Sequence, residues 1–134
     1  MSSIKLDIVT PERKVYSQEV QMVIARAVTG QLGILPNHAP LLANLEPGLM
    51  RVKINESDEE QIAISGGFLE VADNIITVLA RTAELPAEID VSRAQSARRR
   101  AEERLQESQD KVDYARAKAA LDRAMARLQA VGRK

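Results

Sequence analysis

The chain changes character between Glu84 and Ala94, and this change limits the possible folds more than any other feature of the sequence. Before it, apolar and polar residues alternate in short runs that Gly, Pro and Asn interrupt. After it there is no Pro, Gly132 is the one glycine, and Ala and Arg recur at helical spacing. Because alternation is typical of half-buried strands and the second pattern of amphipathic helices, we predict a β domain at residues 1–85 and an α domain at residues 86–134.

The first part predicts about eight to ten short strands with no helix among them. Ile4, Leu6 and Ile8 alternate with polar residues in a strand that ends before Pro11. Gly and two prolines limit residues 31–40 to edge segments and turns. Strand spacing of roughly 8–12 residues predicts an antiparallel sandwich or flattened barrel. The remaining strands are expected at residues 14–17, 20–28, 41–45, 49–55, 61–65, 68–71 and 75–83.

Composition excludes several classes of protein. Aromatic residues make up 2% of the chain (Tyr16, Phe68 and Tyr114), so the core must be aliphatic, and the lack of Cys rules out disulfides and thiolate metal sites. No apolar run approaches the ~18 residues that span a bilayer, and the first residues do not resemble a signal peptide, so we expect a soluble chain. Because His38 is the one histidine, no catalytic triad or metal centre is expected. The chain is therefore not predicted to be an enzyme.

The second part predicts two amphipathic helices. Asp90 is a suitable N-cap for the first and Asp110 for the second, with a short apolar-free link between them. Such helices form an antiparallel hairpin with an alanine-rich seam, which stabilises less than a leucine-rich one. A hairpin that opens and one that stays packed both fit this pattern. The apolar stripes are Val91, Ala94, Ala97, Ala101 and Leu105 on the first helix, and Tyr114, Ala117, Leu121, Ala124, Met125, Leu128 and Val131 on the second.

Charge divides between the two parts. Residues 1–87 carry 7 basic and 11 acidic side chains, a net charge of −4, whereas residues 88–134 carry 12 and 8, a net charge of +4. Arginines form a stripe on each helix, and the hairpin is expected to bring those near the ends of the helices together. The cations then either hold an anion or form a solvated basic face. The stripes are Arg93, Arg100 and Arg104 on the first helix, and Arg116, Arg123, Arg127 and Lys134 on the second.

Arg93 is the unusual member, because it places a cation at the positive end of a helix dipole. It either pairs with the side chain of Asp90 or binds an anion. A standalone module whose basic hairpin engages an acidic protein or nucleic acid is one possible function, although the low aromatic content disfavours nucleic acid.

Four segments in this order and spacing resemble the epsilon subunit family of bacterial F-type ATP synthases over essentially the whole chain. They are Val9-Thr-Pro11, Gly33-Ile-Leu-Pro-Asn-His-Ala-Pro40, Ser65-Gly-Gly-Phe-Leu-Glu-Val71 and Ile89-Asp-Val-Ser-Arg-Ala94. The resemblance implies a ten-stranded sandwich on the gamma subunit and the membrane c-ring, with an interface at Gly33, Pro36 and His38. It also implies a peripheral location on the cytoplasmic face of the cell membrane.

The same resemblance implies a regulatory hairpin. Folded down on the sandwich, the hairpin permits turnover; extended into the alpha/beta head, it blocks ATP hydrolysis, with Arg116, Arg123 and Arg127 against an acidic beta-subunit segment. In similar proteins the folded-down form binds regulatory ATP, with or without Mg²⁺, and the resemblance implies no catalytic cofactor. The residues that match this ATP site are Glu84, Ile89, Asp90, Arg93, Ala94, Arg100, Arg123 and Arg127.

Overall fold

The computed structural model describes residues 2–132 of the chain. Ten strands are followed by a 3-10 turn at Pro86–Glu88 and two helices. The elements are β1 (Ile4–Val9), β2 (Lys14–Val20), β3 (Met22–Ala27), β4 (Gly30–Ile34), β5 (Leu41–Leu45), β6 (Gly48–Lys53), β7 (Glu59–Ile64), β8 (Gly67–Ala72), β9 (Ile75–Ala80), β10 (Ala83–Glu84), α1 (Val91–Glu107) and α2 (Lys111–Ala130).

The strands form a single sheet in the order β10-β7-β6-β3-β5-β8-β9-β1-β2, with β4 paired to β3. The two halves of this sheet meet at a narrow pairing of Ala27 with Leu45 and enclose one core, as the predicted sandwich requires. Every pairing is antiparallel except that of β1 with β9, which is parallel and was not predicted. The chain reaches β1 from the terminus and β9 from a hairpin, so no local turn dictates their relative direction.

Two of the predicted strands are divided in the structure. Residues 20–28 were expected to form one strand, but the chain bends at Gln21, so that Val20 ends β2 and Met22 begins β3. Similarly, residues 75–83 break after Ala80, and β10 forms separately beside β7. A bend between two strands keeps the alternation of apolar residues, and the sequence pattern therefore does not reveal it.

The core is aliphatic, as predicted. Leu6, Ile62 and Leu69 are completely buried in one cluster. Each of the ten strands contributes at least one residue to this cluster. Tyr16 is the one aromatic side chain in that cluster, while Phe68 and Tyr114 are each more than half exposed. Within residues 2–132, neither helix is long and apolar enough to cross a membrane.

We predict that Tyr16 makes the stability of the sandwich pH-dependent in the alkaline range. Burial, and secondarily the charge of Glu60, raises the pKa of Tyr16 from 10.0 to about 12. The raised pKa means that the folded chain favours the neutral phenol. The contribution of Tyr16 to the unfolding free energy is therefore complete below pH ~10 and is lost between pH ~10 and 12. Over that interval the unfolding free energy, measured with urea, should fall by about 2 kcal/mol more than in Tyr16→Phe.

The matched control is Tyr114→Phe, which removes the exposed tyrosine and should retain the full alkaline loss. Equal pH dependence in Tyr16→Phe and the unmodified chain would contradict the assignment.

Candidate functional site

The segment between the sheet and the hairpin is held against the sandwich. The amide of Leu85 donates to Glu88 Oε1 at 3.0 Å, and the Glu88 carboxylate also forms an ion pair with Arg13 of the β1–β2 connection. Asp90 Oδ1 then accepts a hydrogen bond from the amide of Arg93 at 3.0 Å, which confirms Asp90 as the N-cap of α1. Movement of the hairpin would therefore have to begin close to Asp90, after the anchored turn.

Arg93 keeps its side chain exposed. The Asp90 carboxylate bonds to the backbone amide of Arg93, so the side-chain ion pair that the sequence suggested is not formed within residues 2–132. Arg100 is likewise exposed on α1. The alternative interpretation, that these cations bind an anion, remains a prediction.

The predicted alanine seam joins the helices. Ala94 and Ala101 of α1, and Ala117 and Ala124 of α2, are all at most 3% exposed. Asp110 caps α2 as predicted, with its carboxylate accepting from the amide of Asp113. Tyr114 departs from the prediction, because it lies in the first turn of α2 and is 52% exposed.

The structure shows a second buried side of α2 that the sequence pattern did not predict. Ala126 and Ala130 pack against Ala63 of β7 and against Ile89, and Val131 joins this cluster rather than the seam. We call this contact the alanine seat. At 100° per residue, Ala126 lies on the side of α2 opposite the seam residue Ala117. α2 therefore packs between α1 and the sandwich, and the i,i+4 spacing of two alanines was the only available sequence signal.

Ionic contacts flank the alanine seat. Arg127 Nε lies 2.6 Å from Glu84 Oε1, which connects the end of α2 to β10. On the other flank, the Asp122 carboxylate lies 2.9 Å from Lys118 Nζ of its own helix and 3.8 Å from Arg26 Nη2 of β3. The two flanks differ in position but act alike, since each joins α2 to the sandwich through an arginine and a carboxylate.

Arg26 is held in position by the sandwich itself. Its guanidinium also contacts Glu46 at 3.3 Å and the carbonyl oxygen of Pro47 at 3.5 Å. Gly48 leaves room for it, because a Cβ at that position would lie 3.2 Å from Arg26 Cδ. These groups border a cleft of about 810 Å³ between the sheet and the hairpin. Arg51, which also lines the cleft, donates to the carboxylate of Glu59 and so lowers the pKa of Glu59.

The eight residues predicted for the ATP site run from β10 to the end of α2, with Arg93 and Arg100 exposed on α1, and not all are available to a ligand. Ile89 and Ala94 are buried in the seat and the seam, and Arg127 is engaged by Glu84. Arg123 is half-buried and lies in one groove with Arg104 and Arg116, a grouping that the sequence did not predict. Lys134, assigned to the same stripe, lies outside the described residues.

The residues predicted for the gamma and c-ring interface lie on and after β4. Gly33 is exposed in this edge strand, and Pro36 begins the turn that leads to β5. The turn is ordered by polar contacts: His38 Nδ1 lies 2.6 Å from the carbonyl oxygen of Ala39, and the Asn37 amide donates to Asn74 Oδ1 at 2.7 Å. In the described part of the chain, no three His, Cys, Asp or Glu residues are arranged to hold a metal ion.

Two family models match the chain. The model for the ATP synthase, Delta/Epsilon chain, beta-sandwich domain matches residues 3–86, and that for the long alpha-helix domain of the same chain matches residues 87–132. Together they cover both parts of the structure, the sheet and the hairpin.

Individual relatives agree with the family models. An ATP synthase epsilon chain of Brevibacillus brevis is 52% identical over 107 residues, covering 80% of this chain and 81% of the relative. One of Alkalihalophilus pseudofirmus is 53% identical over 113 residues, covering 84% of each. Among solved structures, a chain of the Euglena gracilis mitochondrial ATP synthase (OSCP/F1/c-ring) matches with a TM-score of 0.79 and 25% identity, covering 97% of this chain and 81% of that one.

These matches confirm the resemblance inferred from the four sequence segments, and they agree with a subunit that is not itself catalytic. The chain belongs to the ATP synthase delta/epsilon chain family and is similar to its bacterial epsilon chains.

Proposed function

We propose that the chain is the epsilon subunit of a proton-translocating F-type ATP synthase and works in the central stalk, between the membrane c-ring and the catalytic head. It binds the gamma subunit and reaches the membrane only through the complex, on the cytoplasmic face of the cell membrane. The names of the relatives and the c-ring complex of Euglena gracilis support this role. The alternative of a standalone binding module has no observation in its favour.

Two surfaces of the sandwich suit partners. The first is the turn after β4 with Gly33, Pro36 and His38, which we assign to the gamma and c-ring contact. The second is an apolar patch on β8 and β9, where Phe68 and Leu79 are paired in register and are each more than half exposed. Exposed apolar side chains on adjacent strands are typical of a protein interface, and gamma is its proposed occupant.

The hairpin is proposed to inhibit ATP hydrolysis when it leaves the sandwich. The observation that carries this proposal is the small size of the alanine seat, to which α2 contributes two buried residues, Ala126 and Ala130. At ~0.8 kcal/mol per buried methylene-sized group, this contact contributes only a few kcal/mol. Partly exposed ion pairs such as Arg127–Glu84 add about 0.2–1 kcal/mol each. The helices themselves are rich in Ala and Arg, so they can persist when detached.

Regulatory ATP is proposed to favour the folded-down hairpin. The chemistry of the residues fits a nucleotide: Arg93, Arg100 and Arg123 supply cations for phosphates, and Asp90 marks the start of α1 beside the buried Ile89. To contact the nucleotide, the Arg127 guanidinium would have to give up at least part of its ion pair with Glu84. A ligand specific to the folded-down state stabilises it by about 2.7 kcal/mol at a hundredfold excess over Kd, which is comparable to the alanine seat. In the extended state, Arg116, Arg123 and Arg127 would face an acidic segment of the beta subunits.

We predict that the isolated chain binds ATP and that Arg123→Ala/Arg127→Ala weakens binding at least tenfold, because two phosphate or base contacts are lost at about 1.4 kcal/mol per factor of ten. Isothermal titration with and without Mg²⁺ measures this directly. Lys53→Ala is the matched control, an exposed cation on β6 remote from these residues. Unchanged affinity in the double variant would rule out the assigned site.

We predict that removing the Arg26–Asp122 contact loosens the hairpin without unfolding it. Since the chain has no cysteine, Ala126→Cys places a single thiol in the alanine seat, where it is protected only while α2 is docked. Arg26→Gln in this background should raise the rate of thiol labelling two- to fivefold, as expected for a contact of up to about 1 kcal/mol. Added salt should raise the rate in the Ala126→Cys chain and have less effect after Arg26→Gln.

The control for that experiment is Lys53→Gln in the Ala126→Cys background, which removes a cation from the sandwich surface away from α2. A labelling rate that does not respond to Arg26→Gln would mean that this ion pair does not hold the hairpin.

A further inference from the structure

Three arginines line a groove of about 540 Å³ on the flank of the hairpin, near the connection between its helices. Arg104 comes from α1, whereas Arg116 and Arg123 come from α2, where a spacing of seven residues places them on one face. The small residues Ala117 and Ala120 lie between them, so that long side chains can extend along the groove. The groove therefore exists only while the two helices are packed antiparallel.

The three guanidinium groups lack anionic partners in residues 2–132. Arg104, Arg116 and Arg123 take part in no ion pair or side-chain hydrogen bond there. Other cations of the same two helices, including Arg98, Lys118 and Arg127, each have a carboxylate partner within 4 Å. Arg93 and Arg100 of α1 also lack a carboxylate partner among the described residues, so the distinguishing feature of this groove is that three unpaired arginines from both helices line one cavity.

Carboxylates are present at the rim but leave the arginines unsatisfied. Asp113 lies in the first turn of α2, where a negative charge is favoured by the helix dipole, and Glu107 ends α1. Neither comes within 4 Å of a basic group in the described part of the chain. Three cations against two anions leave the lining with a net positive charge.

We propose that Arg104, Arg116 and Arg123 form a binding site for a phosphate-type oxyanion that bridges the two helices. Guanidinium groups bind phosphate oxygens through paired N–H donors, and two or three of them can surround a diphosphate within this volume. The shared chemistry is that of pyrophosphate, whether it is free or part of a nucleotide. The site differs from the proposed ATP site in using Arg104 and Arg116, and it shares Arg123 with that site.

Binding at this groove has a consequence for the hairpin. Because the anion contacts both helices, it stabilises the antiparallel arrangement over any form in which α1 and α2 separate. It also occupies Arg116 and Arg123, two of the residues proposed to face the beta subunits. A phosphate-type anion would thus oppose the extended state independently of the residues around Glu84 and Ile89.

The test is a titration of the full chain with sodium pyrophosphate at constant ionic strength, followed by calorimetry. The unmodified chain should bind one equivalent, and Arg104→Gln or Arg116→Gln should weaken binding at least fivefold. Arg99→Gln, an exposed arginine of α1 outside the groove, is the control and should have no effect. Both test positions are exposed, and circular dichroism should show unchanged helix content.

ATP in place of pyrophosphate identifies the source of the oxyanion. If Arg104→Gln also weakens ATP binding, the groove holds the phosphates of a nucleotide; if only pyrophosphate binding weakens, it takes the free oxyanion. Equal pyrophosphate affinity in the unmodified chain, Arg104→Gln and Arg116→Gln would overturn the proposal. The proposed ATP site has its own contradicting result, which is an Arg123→Ala/Arg127→Ala variant that retains ATP binding. Failure of the oxyanion site can therefore be distinguished from failure of the ATP site.

Discussion

The contact of two alanines with the sandwich determines what the second half of this chain can do. Ala126 and Ala130 meet Ala63 and Ile89 in a cluster separate from the main core. The main core encloses many completely buried aliphatic side chains, so the sandwich is stable by itself in a way that the docked hairpin is not. The proposed movement of the hairpin on a folded sandwich relies on this difference between the two contacts.

The charges of the hairpin follow from the same arrangement. α2 is buried on two opposite sides, against α1 and against the sandwich, and its remaining surface carries arginines and lysines. Two charged residues of α2 are paired across the contact with the sandwich, the cation Arg127 with Glu84 and the anion Asp122 with Arg26. The arginines near the helix connection have no such neighbour. Docking thus leaves one group of cations paired and another open to small anions.

The sequence predicted the architecture because its signals were local. Alternation identified most strands, the residues Asp73 and Asn74 with positive φ form the predicted turn, and both aspartate caps are confirmed. The parallel pairing of β1 with β9 and the bend at Gln21 depend on contacts between distant segments, which no local pattern encodes. Sequence periodicity therefore predicts individual strands and helices more readily than it predicts which of them lie side by side.

The residues of the candidate site could be predicted from the sequence, but not which of them lie together. Arginine stripes are visible on a helical wheel, but which arginines meet depends on the register of the helices and on which side of α2 faces the sheet. The alanine seat decides that register, and two alanines among polar residues do not stand out in a sequence. The grouping of Arg123 with Arg104 and Arg116 in one groove was therefore not predicted, whereas the predicted proximity of Arg93 and Arg100 to Arg123 and Arg127 stays a prediction.

The measurement that tests this account most directly is ATP hydrolysis by the assembled complex with the hairpin fixed on the sandwich. Ala63→Cys and Ala126→Cys place two thiols in the alanine seat of a chain that otherwise has none, and oxidation then prevents undocking. With the hairpin fixed, the oxidised complex should hydrolyse ATP without inhibition and reductant should restore inhibition, whereas a complex with either single cysteine should be insensitive to oxidation. Equal inhibition of the oxidised and reduced complexes would contradict it.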